Sequence, residues 1–488
     1  MEKTIEQIVQ QRTEKQENLS ASGAHLARSV FKRSGPIAEI LAGFEEGKIF
    51  QAAGRLVSFR AHGKSTFADL RDQTGKIQLL MTEAGLGPQY GALDLLDLGD
   101  IVGVTGEAVM TRTGERTLKV SEWKALTKAL RPPPEKWHGV KDRELMYRKR
   151  YLDLVANAES RERFVLRSRV ITAIRELLDA QGFLEVETPM MQAIPGGAAG
   201  RPFTTHHHAL DMDLFLRIAP ELYLKKLLVG GIDKVYELNR NFRNEGLSTR
   251  HNPEFTMLEV YEAYGDMVSM MDLTETLFDT LARKFLGMSS LKFGDQAIDL
   301  TRPWPRFSFA EHMQSVYGIG PAEPAADWAN KLKAKGVELN FKDGEKLSRS
   351  WLANFIGDLV EQAAAQHPEF SGRPVFVVDF FTEFSPLAKS RPDQPGLAER
   401  FELFVAGMEV ANAYSELNDP IEQRKRFEAY KAVGGVEAQR IDEDFLEALE
   451  YGMPPAGGLG IGIDRMVMLF TGQTSIRDVL LFPTLRPQ

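Results

Sequence analysis

Apolar and polar residues alternate in five short runs near the start of the chain: Phe50 to Phe59, Ser65 to Arg71, Lys76 to Met81, Asp100 to Val109 and Thr117 to Leu126. Glycine-containing turns such as Thr113-Gly114 separate them, and period-two patterning of this kind predicts strands that curl into a small, partly open five-stranded barrel. Ahead of the barrel, Thr4 to Gln16 and Ser22 to Phe31 carry the spacing of amphipathic helices. The run Arg131-Pro132-Pro133-Pro134 marks a boundary, because consecutive prolines continue neither a helix nor a central strand. After it the period changes. A helix is expected from about Glu162 to Gln181, and another over Glu221 to Val229, with Pro220 before it and Gly230 after it. Val235 to Phe242 and Glu254 to Tyr264 read as the two arms of a hairpin, with Phe255, Glu259 and Tyr261 on one face of the second arm and Thr256, Leu258 and Val260 on the other. At least two more helices fall within residues 323–367, strands resume at Arg373 to Phe381 and Phe401 to Glu416, and Pro454-Pro455 introduces a glycine-rich strand and a terminal helix. The second part is therefore expected to be a mixed domain on a large antiparallel sheet, which makes the fold class α+β.

Composition narrows this picture. A chain of 488 residues is long for one domain. The absence of cysteine excludes disulfides, a thiol nucleophile and cysteine zinc sites, and it suits a reducing compartment. A polar N-terminus and the lack of any apolar run of spanning length predict a soluble cytoplasmic protein with no membrane partner. The net charge of −8 is unevenly spread, about +5 over residues 1–150 and −13 over the rest. Lys119, Lys124, Lys128, Arg131, Lys136, Lys141 and Arg143 lead into Arg148-Lys149-Arg150, either as a solvated face or as a contact for a polyanion.

The candidate chemistry lies in the hairpin. Phe242-Arg243-Asn244-Glu245-Gly246 and Arg250-His251-Asn252-Pro253-Glu254-Phe255-Thr256 place a guanidinium able to grip a carboxylate or phosphate beside a ring able to stack a nucleobase. Two patterns are decoys. Gly63-Lys64-Ser65-Thr66 imitates the end of a P-loop, yet Ser58 stands where that motif needs glycine, and the alternating glycines 458, 460 and 462 lack a dinucleotide fingerprint. His206-His207-His208 alternates faces and makes a poor metal site.

The hairpin string resembles motif 2 of the class II aminoacyl-tRNA synthetases, in the form of the lysine-specific branch. Gly457 to Arg465 is similar to motif 3, and the helix entering Phe183-Leu184-Glu185-Val186-Glu187-Thr188-Pro189 to motif 1, so the resemblance spans nearly the whole chain. It implies an N-terminal OB-fold barrel that reads an anticodon, joined to a class II catalytic domain. The expected divisions are a helical extension at residues 1–48, the barrel at 49–134, a linker at 135–160 and the catalytic domain at 161–488. The implied reaction activates L-lysine with ATP and transfers it to tRNA(Lys); since the substrate carboxylate is itself the nucleophile, the protein needs to supply only positioning and charge.

The resemblance also assigns roles. Arg243 would bridge the lysine carboxylate and the α-phosphate, Arg465 would hold the γ-phosphate, and Phe255 would stack the adenine. Glu245, His251 and Asn252 would meet the rest of the nucleotide, and Gly458, Gly460 and Gly462 would leave room for it. Glu402 and Glu409 match the Mg²⁺ carboxylates, although strand parity puts Glu409 opposite Asn412, Tyr414 and Glu416 unless a bulge intervenes between 409 and 412. For lysine itself, Glu221 and the backbone of Gly196-Gly197 would take the α-amino group, Glu416 and Tyr261 the ε-ammonium, and Asn412 would assist with the carboxylate. On the barrel, Phe67 would stack a base, with Gln78 and Glu122 reading base edges and Arg60 a weaker contact. Glu221 and Glu416 oppose an aspartate- or asparagine-specific relative, the barrel opposes a protein-lysylating paralogue, and the conjunction of Arg243, Arg465 and both metal carboxylates opposes a non-catalytic single-strand binder. Phe164, Val165, Ile171, Ile174 and Leu178 exceed what one helix face needs, which predicts a homodimer.

Overall fold

The structure is a computed structural model and describes residues 4–21, 30–133, 141–197, 200–321, 323–339, 349–367, 372–432 and 441–487. Contacts divide the chain into two compact units, Met1–Met146 with Tyr151–Asn157, and Tyr147–Arg150 with Ala158–Gln488. No helix among the described residues is long and apolar enough to cross a membrane.

In the first unit, strands β1 (Ile49–His62), β2 (Ser65–Arg71), β3 (Lys76–Thr82), β4 (Ile101–Met110) and β5 (Arg116–Thr127) form a barrel in the order β1-β2-β3-β5-β4. It is closed, not partly open: β3 and β5 pair in parallel, and β1 is long enough to pair with both β2 and β4, bending at an irregularity between Leu56 and Ser58. The interior is a continuous apolar core from Leu56, Leu70, Leu79, Val104 and Trp123. Helix α1 (Ile5–Ala21) runs five residues past the expected end and is anchored by Arg12, whose guanidinium donates to the carbonyls of Leu98, Ala129 and Arg131. The second expected helix, Ser22 to Phe31, lies almost wholly outside the described residues. The basic run is not one solvated face. Lys128 is buried between Asp97 and Asp100, Arg150 belongs to the second unit, and Lys136 lies outside the described residues.

The stretch expected as a linker, 135–160, contains the helices Arg143–Arg148 and Arg150–Ala156. Arg150 is fixed by hydrogen bonds to the carbonyls of Arg477, Leu480 and Leu481. Helix α2 (Ala158–Ala180) follows, and its apolar surplus is smaller than its sequence implies. Ile174 and Leu178 are wholly buried in the core of their own unit, and the Phe164 ring lies 5.1 Å from the Arg150 guanidinium.

The second unit is built on an eight-stranded sheet. Its strands in chain order are β6 (Leu184–Glu185), β7 (Lys234–Phe242), β8 (Glu254–Ala263), β9 (Arg306–Ser308), β10 (Val375–Val378), β11 (Arg400–Val405), β12 (Met408–Ser415) and β13 (Ala456–Gly462), arranged β9-β10-β11-β12-β13-β8-β7-β6. The six inner strands are antiparallel, and each edge strand pairs in parallel with its neighbour. One sheet face carries Tyr236, Leu258, Val260, Leu403, Ala411, Leu459 and Ile461 into the main core. Helix α3 (Glu221–Val229) lies against β7 and β8, and helix α4 (Ile463–Thr471) continues directly from β13. The expected insertion contains the helices Ala325–Ala334 and Arg349–Gln366 around its own apolar cluster.

Candidate active site

The face of the sheet opposite the core carries rows of functional side chains, set by strand register. Glu237, Glu259, Gly460, Asn412 and Glu402 are successive cross-strand partners over five strands, and Tyr261, Gly458, Tyr414 and Arg400 form the next row. Asn239, Met257 and Gly462 make a third. Each row has a glycine on β13, so that strand has no side chains on this face and the sheet face becomes a trough. The space is not uniformly available to a nucleotide. A Cβ at Gly458 would sit 1.8 Å from Glu416 Oε1 and 2.7 Å from Tyr261 Cε1, so the protein's own carboxylate and phenol fill that position. At Gly462 the nearest atom would be Arg465 Cδ at 3.6 Å, so that end of the strand stays open.

Parity between Glu409 and Asn412 is resolved as the sequence requires. Glu409 pairs with Phe404 and Ala411 with Leu403, leaving Val410 as an inserted residue. Val410 and Ala411 are both buried in sequence, and Glu409, Asn412 and Tyr414 thereby reach the same face.

One end of the trough is a dry pocket of acids. Glu221, Glu259 and Glu416 are all buried, and so are Tyr261 and Lys225. Helix α3 begins at Glu221, which puts Lys225 one turn later on the same side, where its ammonium bonds Glu221 Oε1 at 2.6 Å and pairs with Glu416 Oε2. The Tyr414 hydroxyl donates to the same Glu221 oxygen at 2.5 Å, and the Tyr261 hydroxyl donates to Glu259 Oε2 at 3.1 Å. Gly196 and Gly197 close the pocket from the side: a Cβ would meet Leu222 Cδ1 at 2.9 Å and Glu221 Cβ at 3.0 Å. Burial and the charge of Glu221 push the Glu259 carboxyl up to about 8. Burial also drives Glu416 upward, against the pull of Lys225, while Glu221 and Glu259 add to the rise. Lys225 itself is raised, because contact with two carboxylates outweighs its desolvation. Lys225 was absent from the expected set although its spacing from Glu221 is readable, and Glu259 had been placed on the correct face without a role.

The other end is cationic. The Arg243 guanidinium stacks 5.2 Å from the Phe255 ring, and its Nε is buried without a partner. Arg465, on α4, donates to the Glu409 carbonyl at 2.6 Å and to Glu409 Oε2 at 3.2 Å, and lies 3.0 Å from His251 Nε2. Burial and Arg465 hold the His251 imidazole below its ordinary range. Glu245 is exposed at the rim. Asn252 differs from its expected place: it is buried, its amide donating to the Glu254 carbonyl at 2.6 Å and accepting from Thr484 N at 3.2 Å, so it braces the loop. Asp464 ties the three motifs together, accepting from Thr256 N at 2.8 Å and pairing with Arg167 of α2 at 2.6 Å.

Glu402 pairs with Arg400, which also donates to Asn412 Oδ1 at 3.2 Å. Glu402 and Glu409 are thus two hard-oxygen donors on one face, each held by an arginine. Two carboxylates leave most of a cation's shell to be completed by other oxygens, from phosphates or water. That fits Mg²⁺ brought in with a nucleotide.

The barrel carries a separate open cleft of about 430 Å³, lined by Arg60, His62, Phe67, Gln78, Thr111, Arg112 and Thr113. Phe67 is half-buried, with His62 edge-on at 6.5 Å, and Gln78 Oε1 accepts from the Thr117 hydroxyl at 2.9 Å. Glu122 is not among the lining residues and pairs with Lys124 at 3.1 Å. His62 and Arg112 join the cleft without having been expected there.

Residues 142–486 match the family described as tRNA synthetases class II (D, K and N), and residues 50–126 match the OB-fold nucleic acid binding domain. The first match begins inside the stretch expected as a linker. The chain is 50% identical over 495 residues to a Lysine--tRNA ligase of Carboxydothermus hydrogenoformans, covering 99% of each chain. It is 49% identical to that of Pelotomaculum thermopropionicum, over 100% of this chain and 96% of the relative, and 46% identical to that of Bacillus subtilis, over 98% and 97%.

Proposed function

The chain belongs to the class II aminoacyl-tRNA synthetases of the aspartate, lysine and asparagine group, and from that membership we propose that its trough activates L-lysine with ATP and passes it to tRNA(Lys). The observation that carries the choice of amino acid is the pocket itself: three buried carboxylates and two phenols gathered around one buried lysine, an excess of acid that suits a basic side chain. Buried charge needs compensation, and a substrate with an ammonium at each end supplies it. Glu221 takes the α-amino group beside Gly197, and Glu416 takes the ε-ammonium with Tyr261 and Glu259.

Activation needs no nucleophile from the protein. A lysine carboxylate oxygen forms a bond to the α-phosphorus, the bond to the β-phosphate oxygen breaks, and pyrophosphate leaves. Arg243 bridges the attacking carboxylate and the α-phosphate, Phe255 stacks the adenine, and Arg465 receives the γ-phosphate on leaving Glu409. Asn412, oriented by Arg400, turns its amide donor to the lysine carboxylate. His251, neutral at physiological pH, and Glu245 line the nucleotide's exit side, and Gly460 and Gly462 form the floor. Glu402 and Glu409 would hold Mg²⁺, which when bound neutralises phosphate charge. In the second step the terminal ribose hydroxyl of the tRNA attacks the lysyl carbonyl and AMP departs.

On the barrel, Phe67 offers a stacking platform, Gln78 a base-edge reader and Arg60 a phosphate contact, with Glu122 at the periphery. We assign the anticodon to this cleft. The edge strand β6 exposes Leu184, with Met190 and Met191 exposed shortly after it, and that apolar margin with Val165 is the surface we assign to a second copy in a homodimer. A cysteine-free chain acting on tRNA suits the cytoplasm.

ATP–pyrophosphate exchange across the twenty amino acids tests the reading. Exchange with lysine alone is expected; exchange with aspartate or asparagine, or none, would reject it.

A further inference from the structure

Three carboxylates, Glu221, Glu259 and Glu416, share one dry pocket with the wholly buried Lys225. Its ammonium is held from several directions: Glu221 on its own helix, Glu416 beyond the end of β12, the Tyr414 ring at 5.5 Å and the Phe445 ring at 6.0 Å. A second cation placed against the groups meant for a dicationic substrate weakens substrate binding by repulsion unless it serves the site. The charges explain its presence. Once Glu259 has given up its proton on the arrival of an ammonium, three carboxylates and one ammonium leave a net of two negative charges, which the two ammonium groups of lysine neutralise, while Arg243 is left for the substrate carboxylate. The geometry agrees with this division. Lys225 engages Glu416 through Oε2, and Glu416 Oε1 is buried without a hydrogen-bond partner over Gly458, the position where a substrate ammonium would meet it.

We propose that Lys225 is a positioning residue for lysine activation, an internal cation that bridges Glu221 and Glu416 and orients Glu416 Oε1 toward the substrate ε-ammonium. The inference rests on the reading of this pocket as the lysine site. Without Lys225, Glu416 loses the ion pair that opposes its desolvation while Glu221 and Glu259 still face it, so it is driven further upward and holds a proton more tightly; Arg243 and Arg217 still act on Glu259. Substrate must then displace that proton as well, and the rise of binding with pH moves above its position in the parent.

The test compares the full-length protein with its Lys225→Met, Lys225→Gln and Lys225→Arg variants in lysine-dependent ATP–pyrophosphate exchange from about pH 6 to about pH 10, with a thermal melt for each. In the Met and Gln variants the KM for lysine is expected to rise about tenfold or more while the KM for ATP stays put, and the acidic limb of kcat/KM for lysine to move up by about one pH unit or more. Lys225→Arg is expected to return the limb toward the parent position. The Gln variant retains a hydrogen-bond donor and carries the test if the Met variant does not fold. An unmoved acidic limb, or a loss that only follows the melting temperature, overturns the proposal, and so does failure of both neutral variants to fold. A parent protein without lysine-dependent exchange would instead overturn the assignment of the pocket.

Discussion

Glu259 is the residue whose environment leaves the clearest mark on activity. Its carboxyl, pushed by burial and by Glu221 to about 8, is mostly protonated in the empty pocket at neutral pH, whereas an incoming ammonium binds the carboxylate. The sign follows directly: affinity for lysine is present above the raised value and is lost as pH falls through it. The kcat/KM for lysine, which reports the free enzyme, is expected to climb between about pH 7 and about pH 9 with a midpoint near 8. Glu259→Gln should remove that inflection and raise KM. A parent profile that is flat over this range would count against a role for Glu259 in binding the cation.

At the scale of the element, β13 works through what its glycines lack. The strand is central to the sheet, and Leu459 and Ile461 pack normally into the core. Opposite them, Gly458 gives its side-chain volume to Glu416. Gly458→Ala would set a methyl 1.8 Å from Glu416 Oε1, inside any allowed contact, so the carboxylate must move. Overpacking of this kind costs about 1–3 kcal/mol, and here the cost falls on the lysine pocket. Exchange activity is expected to drop by about tenfold or more through the KM for lysine, with ATP affinity nearly unchanged because Arg243, Phe255 and Arg465 are at the other end of the trough. Equal losses toward both substrates would show that the whole strand had shifted. Asp464 extends the argument to three elements, since it holds β8, α4 and α2 through Thr256 and Arg167, and Asp464→Ala should lower the melting temperature through an uncompensated Arg167, a loss of about 3 kcal/mol or more.

Across the whole molecule, the barrel and the sheet unit each have their own core and their own cleft. Their contributions should separate. Phe67→Ala is expected to weaken tRNA charging by about 1–3 kcal/mol, the worth of one stacked base, and to leave lysine-dependent pyrophosphate exchange intact. Parallel losses in both assays would make Phe67 a structural residue. The proposed dimer is tested by light scattering at micromolar concentration, where a fully active monomer would reject it.

Local rules reach far into this chain. The barrel strands, the helix from Glu221, the hairpin arms and the shared face of Phe255, Glu259 and Tyr261 follow from periods of 2.0 and 3.6 and from glycine and proline placement, which depend only on near neighbours in sequence. The irregularity at Val410 goes a step beyond periodicity: it follows only once the resemblance puts Glu409 and Asn412 on one surface. The fate of a charge or an amide is another matter. Lys128 looks like part of a basic face until Asp97 and Asp100 surround it, and Asn252 looks available to a ligand until the Thr484 backbone occupies it. Lys225 is the sharpest case. Its pairing with Glu221 is written in a four-residue helical spacing, but its pairing with Glu416 exists only because the sheet delivers the end of β12 to the first turn of α3. Periodicity is a property of the backbone and is spent locally; desolvation and charge pairing depend on which distant groups the fold brings together.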